Sequence, residues 1–345
     1  MFEPILTERL RLRPVVAADA GPLAERRSEP TAAALQSWET PFPVAAAEAM
    51  IAELLEVADP PVDDWWMLTV ERLDDGAVVG DLALRLHWDG RAAEIGYTFA
   101  VDSWGLGFAT EATGALIDHL WERPELTRIA AQLHPDNHRS ARVLEKLGFR
   151  YEGRTKLSYW VGDDNTDDLL YGMVREDRAE WLARATGRPA DVRRVEVTPH
   201  KQDPVLRLET HQSQRRFVAP TVFSLADAQV PEVVDGAAVV PWYRAVEADG
   251  ELAGFVMLSE ITEAHVEPYL WRLLIDRRHQ RRGIGDRVID LVAEQCRAWN
   301  ASSLLVSYVE DIGGPEPFYR RRRFVPTGEI IDGETEARLM LDEDA

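Results

Sequence analysis

A single cysteine, Cys296, stands in 345 residues, so no disulfide can form within the chain and no cysteine-based metal site can be built. Cys296 falls on the inward spacing of a predicted helix and is expected in the core. The eight histidines show no metal-ligand spacing. His134 and His138 are four apart, but Pro135 lies between them, and no metal is expected. No apolar run approaches the ~20 residues that cross a bilayer. Residues 1–13 carry charge early and lack an apolar signal region, which points to a cytoplasmic protein without a membrane partner. Lysine is scarce, three against 36 arginines, a coding bias that carries no chemistry. Positive charge is short overall: 20 basic against 33 acidic residues over 1–190 and 19 against 27 over 191–345, for a formal net charge of −21. Such a surface repels nucleic acid and favours cationic partners, besides serving solubility.

What the chain has is two glycine loops, each after an apolar run and each opening amphipathic helical spacing. The first is Ser103-Trp104-Gly105-Leu106-Gly107-Phe108-Ala109-Thr110, and the second is Gln280-Arg281-Arg282-Gly283-Ile284-Gly285-Asp286-Arg287. With Gly105 set on Gly283 they lie 178 positions apart. Glycine is needed where backbone must approach a phosphate closely. A helix start adds free N–H groups and the positive end of its dipole. The same residues would also serve as a tight strand-to-helix turn. Arg281, Arg282 and Arg287 add positive charge to the second loop, whereas Leu106 and Asp102 make the first poorer.

The length suits two domains. Alternation predicts a half-exposed strand over 6–13, then helices opened by Asp19 and over 44–57. Strands follow at 66–71, 77–87 and 92–100, then a helix from the first loop to about 122 and a strand at 127–133. A helix at 137–147 is ended by Gly148, with strands at 149–159 and 167–174 after it. A helix at 175–185 and a linker at 186–189 close this half. The second half repeats the order in shortened form: strand 192–198, helix 205–216, and strands 238–247 and 252–260. Strand 269–276 enters the second loop and helix 285–299 leaves it, before strand 303–309, helix 316–322 and two final strands. The expected class is α/β (α+β): tandem domains 1–186 and 191–345, each a mixed, mostly antiparallel sheet flanked by helices.

Gln280-x-x-Gly283-x-Gly285 resembles the Gln/Arg-x-x-Gly-x-Gly/Ala signature of the GNAT acetyltransferases, whose loop holds the diphosphate of acetyl-CoA. The resemblance makes acetyl-CoA the expected co-substrate. It puts Ile275, Gln280, Arg281, Arg282, Gly283, Ile284 and Gly285 at the cofactor in the second half. In the first half it puts Trp104, Gly105, Leu106, Gly107, Ala109 and Asn137 there. The first half is similar to the Rim-type ribosomal-protein acetyltransferases and their drug-modifying relatives. The matches are Thr7-Glu8-Arg9-Leu10-Arg11-Leu12-Arg13-Pro14, Glu94-Ile95-Gly96-Tyr97, the loop, and Asn137-x-x-Ser140-x-x-Val143-Leu144-Glu145-Lys146-Leu147-Gly148-Phe149. By that resemblance Asn137 and Ser140 face the pantetheine and thioester, and Ser140 is the donor to the departing thiolate. Glu94 is the candidate general base, directly or through water. Without the family, Asn137 is an N-cap and Glu94 a glutamate on a solvated strand face.

The second half is similar to the bacterial spermine/spermidine acetyltransferases in residues 217–228, Trp271-Arg272-Leu273-Leu274-Ile275-Asp276, the loop, and Phe318-Tyr319-Arg320. Tyr319 is then the general acid, a phenol suited to protonating a thiolate. Trp271-Arg272 occupy the usual place of the base, leaving water, Glu260, Glu267 or Glu310. Gly313-Gly314-Pro315 replaces an asparagine-containing helix entry, and Arg323 stands where a glycine precedes Phe324. The expected activity is acetylation of a primary amine, a small polyamine or other cationic amine, with the second half the main catalyst. Protein N-terminal or aminoglycoside-type acetylation by the first half, and a non-catalytic acyl-CoA-binding regulator, are the alternatives. Association as a homodimer is left open.

Overall fold

The computed structural model of the chain describes residues 2–234 and 236–341. Contacts divide it into two units between Ala183 and Arg184. In the first unit β1 (Ile5–Leu6), β2 (Leu10–Pro14), β3 (Trp65–Arg72), β4 (Val78–His87), β5 (Ala92–Phe99), β6 (Arg128–Leu133), β7 (Arg150–Val161) and β8 (Asp164–Val174) form one sheet, ordered β1-β2-β3-β4-β5-β6-β8-β7. The helices are α1 (Ala20–Ser28), α2 (Pro30–Ala33), α3 (Val44–Leu55), α4 (Phe108–Leu120), α5 (His138–Leu147) and α6 (Arg175–Ala183). Side chains alternate across a strand, and that alternation sorts the core. Trp66, Leu68, Leu82 and Leu84 join the large cluster with α4 and α5, while Met67 and Ala83 pack with α1 and α3.

The second unit repeats this with β9 (Val192–Val195), β10 (Val233–Val234), β11 (Ala237–Ala238), β12 (Pro241–Ala248), β13 (Glu251–Ser259), β14 (Tyr269–Ile275), β15 (Ser303–Tyr308), β16 (Val325–Ile331) and β17 (Glu334–Met340). Its main sheet runs β16-β17-β15-β14-β13-β12-β9, and β10 pairs with β11 apart from it. One face, with Ala245, Phe255, Met257 and Leu274, is covered by α7 (Pro199–Leu206) and α8 (Thr221–Gln229). The other packs on α9 (Ile284–Ala298) and α10 (Glu316–Arg321). Cys296 lies fully buried there, its thiol pushed up to about 12 by burial, and is an unreactive core residue. Among the described residues no helix is long and apolar enough to cross a membrane.

Two sequence expectations need correcting. The strand over 6–13 is two strands, because Thr7 and Leu10 close a turn on each other and Glu111 of α4 accepts from the Thr7 hydroxyl and the Arg9 N–H. The helix over 205–216 ends at Leu206 instead. Pro199 starts it early, the Thr221 hydroxyl takes the Val205 carbonyl at 2.8 Å, and Glu209 N–H turns to Asp276.

Each sheet has one short parallel pair. Ala92–Glu94 pair with Arg128–Ala130, and Tyr269–Leu270 with Leu305–Val306. Beyond these registers β5 and β14 stay with β4 and β13 as far as Phe99 and Ile275 and part from β6 and β15. A wedge therefore opens in each sheet on the side of its glycine loop. Gly80 and Gly254 allow the close strand approach here. A Cβ would lie 2.8 Å from the Thr98 carbonyl oxygen at Gly80 and 2.4 Å from that of Leu274 at Gly254.

Candidate active site

The loops align two residues away from the first-glycine match. Gly107 and Gly283 are the N-caps of α4 and α9, with φ of 87° and 76°. Two residues earlier, Gly105 and Arg281 are also left-handed, at 79° and 64°. The Trp104 indole N–H donates to the Phe99 carbonyl at 2.9 Å, and the Gln280 amide donates to the Ile275 carbonyl at 3.0 Å, each five residues back at the strand end. The offset is 176, not 178, and Trp104 does the work of Gln280: it straps the loop to its strand. Gln280 also donates to Gln214 at 2.8 Å. The helices' first N–H groups, at Phe108, Ala109 and Thr110 and at Ile284, Gly285 and Asp286, have no intrahelical acceptor.

Charge at the loops also differs from expectation. Arg282 is only 6% exposed. It donates to the Gly187 carbonyl at 2.8 Å and meets His279 Nδ1 at 2.9 Å, so its guanidinium is bound inward. Arg287 pairs with Glu294, and Arg281 is exposed. At the first loop Arg9, which no loop motif contains, donates to the Leu106 carbonyl at 3.0 Å and lies over the Phe108 ring, with Glu111 at 2.7 Å neutralising it.

In the first unit, Glu94 is the last paired residue before the wedge. Its carboxylate lies 3.4 Å from His87 Nε2, and His87 Nδ1 lies 3.2 Å from the exposed Asp63, a chain from the wedge to solvent. Past Glu94, Tyr97 spans from β5 to α5: its hydroxyl donates to the Ser140 carbonyl at 2.9 Å and accepts from Ser140 Oγ at 2.8 Å. Burial pushes the Tyr97 phenol up, so the pair stays protonated. Asn137 caps α5, accepting from Ser140 N–H at 3.1 Å. Asp168, 3% exposed on β8, was not anticipated. Burial first, then the charges of Glu94 and Asp167, hold its carboxyl above the usual range against a hydrogen bond from Ser158 and the nearby His134. His134 Nδ1 accepts the Asp136 N–H, which leaves Nε2 to donate to Thr166 at 3.0 Å.

In the second unit Tyr319 is 7% exposed among aromatic rings. It stacks on Tyr308 at 5.6 Å and meets Phe318 and Phe324 edge-on at 5.2 and 5.3 Å. Burial, and then the charge of Glu334, push its phenol up. Counted back from Phe324 and Phe149, Tyr319 matches buried Leu144, and Ser140 matches Pro315, so the two candidate donors stand on different helical turns. Leu258 pairs with Leu270 as Leu84 does with Ile95, so past the β14 bulge the place of Glu94 falls to Tyr269. Glu267 is engaged by Arg338 at 2.7 Å and Glu310 by Thr335 at 2.8 Å. Glu334, which accepts from Ser307 and matches Asp168 in register, is the carboxylate whose charge reaches Tyr319.

Residues 9–150 match the model of an acetyltransferase (GNAT) domain, and residues 209–320 match that of the acetyltransferase (GNAT) family. The chain is 34% identical to the uncharacterised N-acetyltransferase p20 of Bacillus licheniformis over 181 residues, which are 52% of this chain and 99% of that protein. The chain belongs to the GNAT acetyltransferases. It is also 27% identical over 176 residues to the uncharacterised N-acetyltransferase YoaA of Bacillus subtilis, across 51% of this chain and 98% of that one. Over 84 residues it is 33% identical to the ribosomal-protein-serine acetyltransferase of Escherichia coli, across 24% of this chain and 47% of that enzyme.

GNAT acetyltransferases use acetyl-CoA, which brings the acetyl group as a thioester. Both loops of this GNAT chain fit its phosphates. A Cβ at Gly107 or Gly283 would come within 3.3 Å of Arg9 or 3.1 Å of Arg188, and the left-handed backbone exposes the helix-start N–H groups. Sequence reasoning missed Arg9, Asp168, His87 and Arg188. Arg9 and Tyr97 stood in quoted motifs without a role, and Asp168, His87 and Arg188 are joined to the site only by folding.

Proposed function

We propose that this tandem GNAT acetyltransferase acetylates a primary amine in the wedge of its first unit, and that the second unit is chiefly a co-substrate-binding partner. This reverses the ranking expected from the loops alone. The observation that carries it is Glu94 at the mouth of the wedge, joined through His87 to Asp63, with Asp168 nearby. An ammonium acceptor is attracted by these carboxylates, and Glu94 can pass its proton along the histidine towards water. The Tyr97–Ser140 pair offers hydroxyl protons on the opposite arm.

The proposed acceptor is the α-amine of a protein N-terminus, cytoplasmic and by analogy with the E. coli relative ribosomal. An α-amine, with a pKa of about 7.7–8.0, gives up its proton far more readily than an alkylamine near ~10.4, and so suits a carboxylate relay. A small polyamine acetylated at the second unit is the second reading, favoured by the protonated Tyr319. Acetyl-CoA turnover against peptide N-termini and polyamines tests both. Turnover of peptides that Glu94→Gln removes supports the first unit, whereas polyamine turnover that Tyr319→Phe removes and Glu94→Gln spares overturns it. Binding of acetyl-CoA without turnover of either class leaves a regulatory binding protein.

A further inference from the structure

Residues 186–189 have the composition of a linker, yet the segment they open is fastened to the second loop. Arg282 Nε holds the Gly187 carbonyl, and Arg282 Nη2 lies 3.7 Å from Asp249. Asp249 Oδ1 in turn accepts the N–H groups of Ala190 and Asp191 at 2.9 and 3.0 Å. Between these anchors Arg188 lies over the helix start. Its Nε and Nη2 are 3.1 and 3.5 Å from where a Cβ on Gly283 would stand. Arg188 is exposed and, among the described residues, no carboxylate pairs with it. The arginine at the first loop is different, since Glu111 cancels the charge of Arg9.

We infer that Arg188 is a phosphate ligand of the co-substrate at the second loop, and that buried Arg282 is the positioning residue that delivers it. The guanidinium stands beside N–H groups that favour the same anion, and its fork can bind two phosphate oxygens. The loop's own middle arginine is turned away, so a cation from 95 positions before Gly283 takes its place.

The inference rests on the reading that the second loop binds acetyl-CoA. Its test is calorimetric titration of CoA into the full chain carrying Gly107→Asp, which confines binding to the second unit. Arg188→Ala should weaken CoA roughly 10-fold or more and flatten the salt dependence, and Arg188→Lys should recover it only in part. Asp249→Gly, which suits that residue's φ of 51° and removes the anchor, should weaken CoA less, with no further effect once Arg188 is Ala. Gly283→Asp separates the two claims. If it leaves CoA binding unchanged, the loop assignment fails. If it removes binding while Arg188→Ala changes nothing, the loop stands and the role of Arg188 is overturned.

Discussion

Trp104 and Gln280 differ in size, polarity and hydrogen-bonding capacity, yet each donates one N–H to the carbonyl five residues before it and fixes the same loop. Around this shared backbone the two units diverge. The first gathers Glu94, His87, Asp168, Tyr97 and Ser140 at its wedge, and its loop cation is neutralised. The second has Tyr269 where Glu94 would be, an aromatic cluster around Tyr319, and an unneutralised arginine at the loop. Backbone geometry at a phosphate loop is preserved by any side chain that makes the strap, whereas acid–base chemistry depends on particular groups. The two can therefore separate between copies.

The largest effect expected is on that division. Glu94→Gln should lower turnover by ~10²–10⁴-fold, the usual range for a general base, while CoA affinity changes little. Tyr319→Phe should leave peptide turnover within a few-fold. Steady-state kinetics on both variants checks this, and equal losses would erase the contrast between the units.

Next comes stability at matched positions after α5 and α10. Gly148 is left-handed at φ 98°, and a Cβ there would stand 2.5 Å from Trp181 of α6, whose indole N–H holds the Lys146 carbonyl. Gly148→Ala should cost about 2–4 kcal/mol, from the left-handed backbone and the overpacking together. Urea unfolding of the full chain measures it, and a loss below 1 kcal/mol would mean that α6 moves aside freely.

Much of this was legible in the sequence. Gly148 announced a helix end, the runs over 66–71 and 77–87 on either side of Asp74-Asp75-Gly76 announced strands, and the glycine loops announced two helix starts. Their register was not legible, because glycines in a G-x-G string look alike and only backbone φ shows which one is the cap. Asp168 was hidden for another reason. It sits in an acidic run, Asp163-Asp164-Asn165-Thr166-Asp167-Asp168, and only the strand register turns this one inward while Asp167 pairs with exposed Arg154. Arg282 misled in the opposite sense, since a loop arginine beside a glycine looks like a phosphate ligand until its buried partners are seen.

Asp168 gives a smaller effect with a definite sign. Its folded carboxyl is held above the unfolded value, so the charged form is disfavoured by the fold. That penalty is absent below the unfolded pKa and grows as pH rises towards the folded one. Asp168→Asn should therefore stabilise the chain at pH 7, with the gain fading as pH falls to about the ordinary carboxyl pKa of ~3.9. Thermal unfolding across that range checks it, and a gain independent of pH would trace the effect to packing instead.

The smallest effect returns to the helix ends. Arg323 stands at the place of Gly148 and is left-handed at φ 66°, without glycine's freedom there. Arg323 is exposed there and lines a cleft with Arg321, Arg322 and Val325. Arg323→Gly should then relieve the backbone and stabilise the second unit by about 1 kcal/mol, less the entropy that glycine returns to the unfolded chain. Glycine is favoured at both places, strongly where a tryptophan stands above the backbone and weakly where the side chain meets solvent. A loss of stability on Arg323→Gly, read by the same urea unfolding, would show that the arginine side chain contributes packing or charge in the cleft that outweighs its backbone strain.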